Sequence, residues 1–253
     1  MAEVLQIYST GKKQSTISAY YKGRAGYRGP YHEYESLVLS LLEPGMSLLD
    51  VGCGRTFPMA EKWLSTGARV CGIDPVADQS AVPEGAEIIE GGSEEMPFGG
   101  QEFDVIASRA VLEHLEKPAR VFQEFHRVLK AGGKAVLLTP SKHDYVSVAA
   151  KLMPNRFHAK VVSATEGRDE MDTFPTFYRA NSHRQLVRLA VNTGLKLQRL
   201  EYLDQSPYAL GFCPLLYQLA CWYHHVVRSI NWLNFLNGWI LCVLARPSHQ
   251  IKV

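Results

Sequence analysis

The stretch Leu48-Leu49-Asp50-Val51-Gly52-Cys53-Gly54, followed at a distance by Asp74, decides how this chain folds. The run Ser47–Val51 is apolar enough for a buried strand, and the glycines after it permit a tight turn in which main chain meets a ligand with no Cβ in the way. A second strand over Ala68–Ile73 delivers Asp74 to its end, where a carboxylate can accept hydrogen bonds from both hydroxyls of a ribose. Together these segments form a βαβ unit suited to a ribose-bearing ligand.

Gly52 and Gly54 match the first two glycines of the dinucleotide fingerprint G-x-G-x-x-G, but Phe57 occupies the third position. A phenylalanine there crowds the helix–strand contact and the path of a pyrophosphate. NAD or FAD, and with them an NAD-dependent oxidoreductase, are therefore disfavoured against a smaller adenosine ligand without phosphates, S-adenosyl-L-methionine. A glycine turn that binds nothing is ordinary for a lone G-x-G, and Asp74 weakens that reading.

Three further stretches extend the pattern: Gly92-Ser93-Glu94-Glu95-Met96-Pro97-Phe98 leading to Phe103-Asp104-Val105-Ile106, then Val111-Leu112-Glu113-His114-Leu115, then Arg127-Val128-Leu129-Lys130-Ala131-Gly132-Gly133. In order and spacing, the segment Ser47–Pro140 resembles the class I S-adenosylmethionine-dependent methyltransferases, in particular the small-molecule type related to ubiquinone-biosynthesis methyltransferases. The resemblance implies a doubly wound, seven-stranded Rossmann-like α/β sheet. It also implies a cofactor-binding set of Asp50, Gly52, Cys53, Gly54, Asp74, Pro75, Ser93, Glu94 and Ser108. In that set Gly52 and Gly54 line the methionine end, Asp50 helps hold its amino group, Asp74 takes the ribose hydroxyls, and Ser93 and Glu94 border the adenine. Two positions depart from the family pattern: Thr56 stands where many relatives have a further glycine, and Gly92 where they often have an aspartate for the adenine amino group. These departures keep a noncatalytic adenosylmethionine-binding or interaction protein as an alternative.

A chain of 253 residues can bury a full core as one methyltransferase domain over 1–253, with a helical lead-in at 1–45. The formal net charge of +2 gives no argument for nucleic acid, which favours a concentrated basic surface. The five cysteines are scattered and lack C-x-x-C spacing, so they read as reduced packing residues in a cytoplasmic protein, and no secretory signal is evident. No histidine–carboxylate pattern has metal-ligand spacing, so no metal is expected.

Helices are expected over Tyr31–Leu42, Pro58–Ser65, from Pro118 until Gly132-Gly133 stops it, and Ser182–Asn192. The remaining strands are placed at Glu87–Glu90, Phe103–Ser108, Lys134–Thr139, Leu195–Tyr202 and Trp239–Ala245. Two insertions lie outside the family core and are assigned to the acceptor.

The first insertion, 141–181, mixes His143, Tyr145 and Tyr178 with prolines and charges and suits a cap over a pocket, or a self-packed surface loop. In the lead-in, Tyr20, Tyr21, Arg24 and Tyr27 are lid candidates, since aromatic faces favour a sulfonium cation. The second insertion, 206–238, carries Leu215, Leu219, Trp222, Tyr223, Val226, Ile230 and Leu233 at helical spacing, a stripe that ordinarily faces the core. With Leu216, Val227, Trp232, Phe235 and Leu236 beside it, the stripe is large enough to serve as a lid, to hold a lipid-like acceptor or to make peripheral membrane contact. No acidic residue follows Asp204, whereas Arg228, Arg246 and Lys252 do, and Arg228 is expected to meet an anionic headgroup or phosphate.

Methyl transfer from a sulfonium is a direct displacement that needs alignment and exclusion of water more than covalent catalysis. Where the acceptor is a hydroxyl, a base helps, and His114 and His143 are the candidates. The function expected is methyl transfer to oxygen, carbon or nitrogen of a small, partly apolar acceptor.

Overall fold

The computed structural model describes residues 28–145, 147–148, 174–205, 207, 210 and 213–248. The chain divides into a larger unit, Tyr31–Pro140 with Thr176–Glu201 and Ile240–Val253, and a smaller one, Met1–Pro30 with Ser141–Pro175 and Tyr202–Trp239. Of the sequence-derived lid candidates, Tyr20, Tyr21, Arg24 and Tyr27 lie outside the described residues.

One sheet of seven strands runs through the fold: β1 (Ser47–Val51), β2 (Arg69–Asp74), β3 (Ala86–Glu90), β4 (Phe103–Arg109), β5 (Leu129–Pro140), β6 (Lys196–Leu203) and β7 (Trp239–Ala245). Their order across the sheet is β3-β2-β1-β4-β5-β7-β6. Strands β3, β2, β1, β4 and β5 pair in parallel. β7 runs against β5: Gly132 N–H donates to Arg246 O and Arg246 N–H to Gly133 O at one end, while Ser141 N–H donates to Gly238 O at the other. The chain leaves β1 toward β2 on one side and later resumes with β4 on the other. That reversal opens a crevice at the strand C-termini, where open α/β sheets hold ligands.

The central strands are buried on both faces, as near-continuous apolar runs require. Helices α1 (Pro30–Leu41), α2 (Ala60–Leu64), α3 (Pro118–Val128) and α4 (His183–Asn192) accompany them. In α3 the residues Val121, Phe122, Phe125 and Val128 are buried, the stripe that the sequence places inward. In α4 Leu186, Leu189 and Ala190 are buried likewise, and Ser182 caps the helix by accepting from Gln185 N–H.

Gly132-Gly133 does not end α3. That helix ends at Val128, and β5 begins at Leu129 and runs through both glycines. The register slips there, Phe103 facing Leu129 but Val105 facing Lys134, so the extra residues form an irregularity in the strand. Gly132 sits at φ +81, and a Cβ on Gly133 would lie 3.0 Å from the Asp104 and Lys130 carbonyl oxygens, which is why glycines are needed here. Arg246 takes the capping role instead: its Nη1 donates to the carbonyls of His126, Arg127 and Leu129 at the C-terminal end of α3.

In the smaller unit, α5 (Pro214–Ser229) leads into a short 3₁₀ segment, Asn231–Leu236. The sequence-derived stripe is turned the other way. The buried side of α5 is Tyr217, Ala220, His224 and Val227, whereas Leu215 (65% exposed), Leu219 (54%) and Trp222 (66%) face outward, as does Trp232 (74%) after it. Apolar periodicity alone cannot distinguish a core face from an exposed apolar face. A buried His224 held by a carboxylate sets the rotation of this helix. Among the described residues, no helix is long and apolar enough to cross a membrane.

Ser182→Ala should lower stability by about 1 kcal/mol, seen as a lower urea midpoint at unchanged slope. An unchanged midpoint would mean that α4 does not depend on its cap.

Candidate active site

The loop after β1 is shaped by two left-handed glycines, Gly52 at φ +75 and Gly54 at φ +80. Gly52 N–H donates to Ile73 O at 2.8 Å, which ties the turn to the end of β2. A Cβ on Gly52 would lie 2.1 Å from Val111 Cγ2, so the segment leaving β4 crosses directly over this glycine. At Gly54 a Cβ would meet nothing closer than Pro58 Cδ at 3.7 Å. Gly52 is thus required both for packing and for its left-handed turn, and Gly54 for its turn alone. Phe57, at φ +49, buries its ring completely, and a Cβ on Gly72 of β2 would lie 2.8 Å from it. The ring fills the space between loop and strand that a third glycine would otherwise leave for close packing.

Asp74 is buried, and both of its oxygens are already engaged: Oδ2 accepts from Gly54 N–H at 2.9 Å and Oδ1 from Val76 N–H at 3.0 Å. The same carboxylate therefore staples the loop after β1 to the loop after β2. A carboxylate has about four lone-pair sites, so two remain for hydroxyl donors. Pro75 beside it is exposed on the turn.

Asp50, the next-to-last residue of β1, is buried, with Oδ2 accepting from Trp63 Nε1 at 2.8 Å. Burial pushes its pKa up to about 6; the Trp63 N–H and the charge of Arg109 pull the other way, and the nearby Asp74 adds to the rise. The buried Tyr34 of α1 stacks edge-on against Trp63, and its hydroxyl has no hydrogen-bond partner among the described residues. Arg109, at the end of β4, is held by Glu35 at 2.8 Å and lies 4.7 Å over the Tyr31 ring. Helix α1 thus contributes Tyr31, Tyr34 and Glu35 to the crevice, none of which the sequence singled out. Acidic and aromatic residues at helical spacing give no sign that one helix end will meet a distant strand.

Cys53 is buried and its thiol is pushed well up by burial, which leaves it a packing residue. Ser108, fully buried, donates from Oγ to Val51 O at 3.0 Å and so joins the ends of β1 and β4. Glu94 accepts from Lys117 N–H, anchoring the loop after β3 to the start of α3, and Ser93 beside it is half-buried. That loop is clamped further by Glu124, which accepts from Met96 N–H, and by Arg127, which donates to Met96 O and Phe98 O. Arg127, from the stretch Arg127–Gly133, therefore positions the stretch Gly92–Phe98. A Cβ on Gly92 would meet nothing within 4 Å.

His114 ends a 3₁₀ turn, Leu112–His114, after β4, with Nε2 3.9 Å from Glu113 Oε1. Glu113 is buried and organises this corner: its carbonyl accepts from Phe177 and Tyr178 N–H, and its Oε2 from Thr139 Oγ1, which in turn accepts from Asn181 Nδ2 at 2.6 Å. Tyr178 is half-buried with φ +53. His143 belongs to the smaller unit, where it is exposed and meets the Phe235 ring edge-on. In that same unit Tyr145 packs edge-on against Tyr223 and His224, and Arg228 stands 3.5 Å from Asp204 with its Nε also donating to His224 O. Arg228 is therefore directed toward its own unit and not held out for a headgroup.

Residues 49–137 match a family model described as a methyltransferase domain. The chain is 34% identical over 169 residues to a demethylmenaquinone methyltransferase of Chlorobaculum tepidum, an alignment covering 63% of this chain and 68% of that one. The chain belongs to the S-adenosylmethionine-dependent methyltransferases. It is also 33% identical over 131 residues to a ubiquinone biosynthesis O-methyltransferase of Pseudomonas paraeruginosa, covering 45% of this chain and 55% of that one. Among solved structures, the fold resembles geranyl diphosphate C-methyltransferase of Streptomyces coelicolor at a TM-score of 0.53 and 17% identity, covering 85% of this chain and 77% of that one. Membership sets aside the oxidoreductase reading, makes the protein an enzyme and makes S-adenosyl-L-methionine its cofactor. The residues of the crevice fit such a cofactor: Asp50 is a buried carboxyl whose pKa burial raises, and Asp74 keeps acceptor capacity beyond its two backbone donors.

Gly52→Ala should cost at least about 1–3 kcal/mol from overpacking against Val111, with part of the loss recovered in the double variant that adds Val111→Ala. Additive losses in the two variants would show that the methyl group meets something other than Val111.

Proposed function

We propose that this methyltransferase transfers its methyl group to a partly apolar, hydroxyl-bearing ring acceptor of the quinol kind that it reaches at a membrane surface. The observation that carries this reading is the outward apolar face of α5 and the segment after it, Leu215, Leu219, Trp222 and Trp232. A face of this kind marks an interaction surface. The named activities of the demethylmenaquinone and ubiquinone relatives support the acceptor class.

When bound, S-adenosylmethionine supplies an electrophilic methyl group on a sulfonium. The proposed work of the larger unit is to hold and align it. Asp50 meets the amino group, Gly52 and Gly54 let main chain approach the methionine end, Asp74 accepts the ribose hydroxyls, and Ser93 with Glu94 borders the adenine. Ser108 and Cys53 keep the ends of β1 and β4 packed beneath it, and Pro75 shapes the turn past Asp74. His114 lies on the segment after β4 and is the proposed proton acceptor of this unit, and Tyr178 is a proposed acceptor contact within it. The decisive assay is labelled methyl transfer into whole-cell extract split into apolar and aqueous phases. Label in the apolar phase, in hydroquinone species, is expected; label confined to the aqueous phase overturns the acceptor assignment.

The raised pKa of Asp50 fixes a pH signature. Without ligand, the fold favours the protonated carboxyl, so its contribution to stability is present below about pH 4 and is lost as pH rises through about 6. Binding of an ammonium favours the ionised form and reverses the preference. Adenosylmethionine affinity should fall as pH drops below about 6, by at most about tenfold per unit, with proton release on binding near that pH. Calorimetry in buffers of different ionisation heat measures both. Asp50→Asn should bind weakly with a flat profile, and an unchanged profile would remove Asp50 from the cofactor site. Asp74→Ala is the poorer test, because it also unfastens two loops.

Membrane contact carries its own expectation. Among the described residues after Asp204, Arg228 faces Asp204 and Arg246 caps α3, so the attachment proposed for α5 rests on apolar insertion, which salt does not screen. Vesicles of neutral and of anionic lipid should sediment the protein almost equally, with little effect of salt. Trp222→Ser with Trp232→Ser should weaken sedimentation about tenfold or more while leaving the fold intact, since both rings are exposed. Indifference to both vesicle types refutes the contact.

A further inference from the structure

Within the smaller unit, the buried side of α5 presents His224, whose residue surface is wholly covered. Its Nδ1 stands 2.7 Å from Asp204 Oδ1, a close contact without hydrogen-bond geometry, and that carboxylate is itself buried. The second carboxylate oxygen has Arg228 Nε at 3.5 Å. Tyr145 and Tyr223 meet the imidazole edge-on, at centroid separations of 5.7 and 5.4 Å. Tyr223 in turn donates from its hydroxyl to Leu236 O, which fixes its ring against the 3₁₀ segment. The other imidazole nitrogen, Nε2, is buried with no hydrogen-bond partner among the described residues.

That arrangement is costly as pure structure. A buried polar atom left unmade forfeits about 1–3 kcal/mol, and an apolar side chain of similar volume would fill the same space without the loss. In the neutral ring, the carboxylate beside Nδ1 favours the tautomer that carries its proton there, which leaves Nε2 presenting its lone pair. The missing partner is then a donor. A second buried acceptor without a described partner, Asn237 Oδ1, lies one residue beyond the carbonyl that Tyr223 reaches. The acidic groups around the imidazole, Asp204 and the Asp144 whose charge is felt at Tyr223, disfavour a carboxylate or phosphate ligand. The surrounding tyrosine rings favour a flat aromatic body.

We propose that His224, oriented by Asp204, is the anchor for an aromatic hydroxyl group, which donates its proton in a hydrogen bond to Nε2. The inference rests on the acceptor class proposed above and adds a specific recognition point to it. It makes Asp204 a positioning residue and accounts for the rotation of α5 that puts its apolar stripe outside.

The test uses the full chain with isotope-labelled histidine and two probes, a naphthol and its methyl ether, which differ in the hydroxyl proton alone. Long-range proton–nitrogen NMR reads the His224 Nε2 resonance directly. The naphthol should move that resonance and bind at least about tenfold tighter than the ether, a margin set by one hydrogen bond to a buried acceptor. His224→Phe should erase the preference, and Asp204→Asn should reduce it while altering the resting nitrogen shift. If His224→Phe does not fold, the two-probe comparison on the wild-type protein decides by itself. Equal affinity for the two probes, a bound naphthol that leaves the Nε2 resonance unmoved, or no naphthol binding overturns the proposal. Calorimetry with adenosylmethionine on the same sample is independent: loss of that signal counts against the cofactor site and leaves the hydroxyl anchor standing.

Discussion

The carboxylate of Asp74 bridges the two loops that border the switch point of the sheet, accepting from Gly54 N–H on one side and Val76 N–H on the other. The rest of the crevice depends on that bridge. It holds Gly54 in the left-handed turn that opens the loop after β1, and it lies close enough to Asp50 to raise that residue's pKa. A residue that the sequence assigns to ribose is therefore also a fastener. The two roles are compatible because a carboxylate accepts more hydrogen bonds than two backbone donors supply.

Around this bridge the larger unit satisfies its polar groups with residues drawn from far along the chain. Arg127 and Glu124 clamp the loop after β3, Arg246 covers the last carbonyls of α3, and Glu113 gathers Thr139, Phe177 and Tyr178 at the end of β4. Ligand-facing loops of an α/β sheet carry unpaired backbone groups, and each pair made this way stiffens a loop without filling the crevice. The cost is concentrated at Asp50 and the Tyr34 hydroxyl, both buried, one with its pKa raised by burial and one without a described partner.

The smaller unit uses its polar residues differently. Asp204 engages both His224 and Arg228, and the tyrosine pair encloses the imidazole. One consequence is that Arg228, which reads as part of an excess charge in the sequence, is turned to internal use; in the larger unit Arg246 is likewise engaged at the end of α3, and Lys252 lies outside the described residues. Another is that the apolar stripe of α5 is displaced to the outside. Both facts shift the basis of surface attachment from charge to apolar area.

The sequence by itself determined the alternation of strands and helices, the glycine turn after β1, the acid at the end of β2 and the family to which they belong, because these depend on local periodicity and on backbone freedom at named glycines. It also placed the inward faces of α3 and α4, where a polar opposite side leaves one orientation open. It could not orient α5, which is apolar nearly all round, so that a buried His224–Asp204 contact 20 residues apart in sequence chose the face. It could not tell that Gly132-Gly133 sits inside a strand, because glycine marks a helix stop and a strand irregularity alike, and the carbonyls of Asp104 and Lys130 decide between them. Nor could it show Tyr34, Glu35 and Arg109 meeting at the crevice, or Asp74 serving two loops. Those depend on distances between segments far apart in the chain, which only tertiary packing fixes.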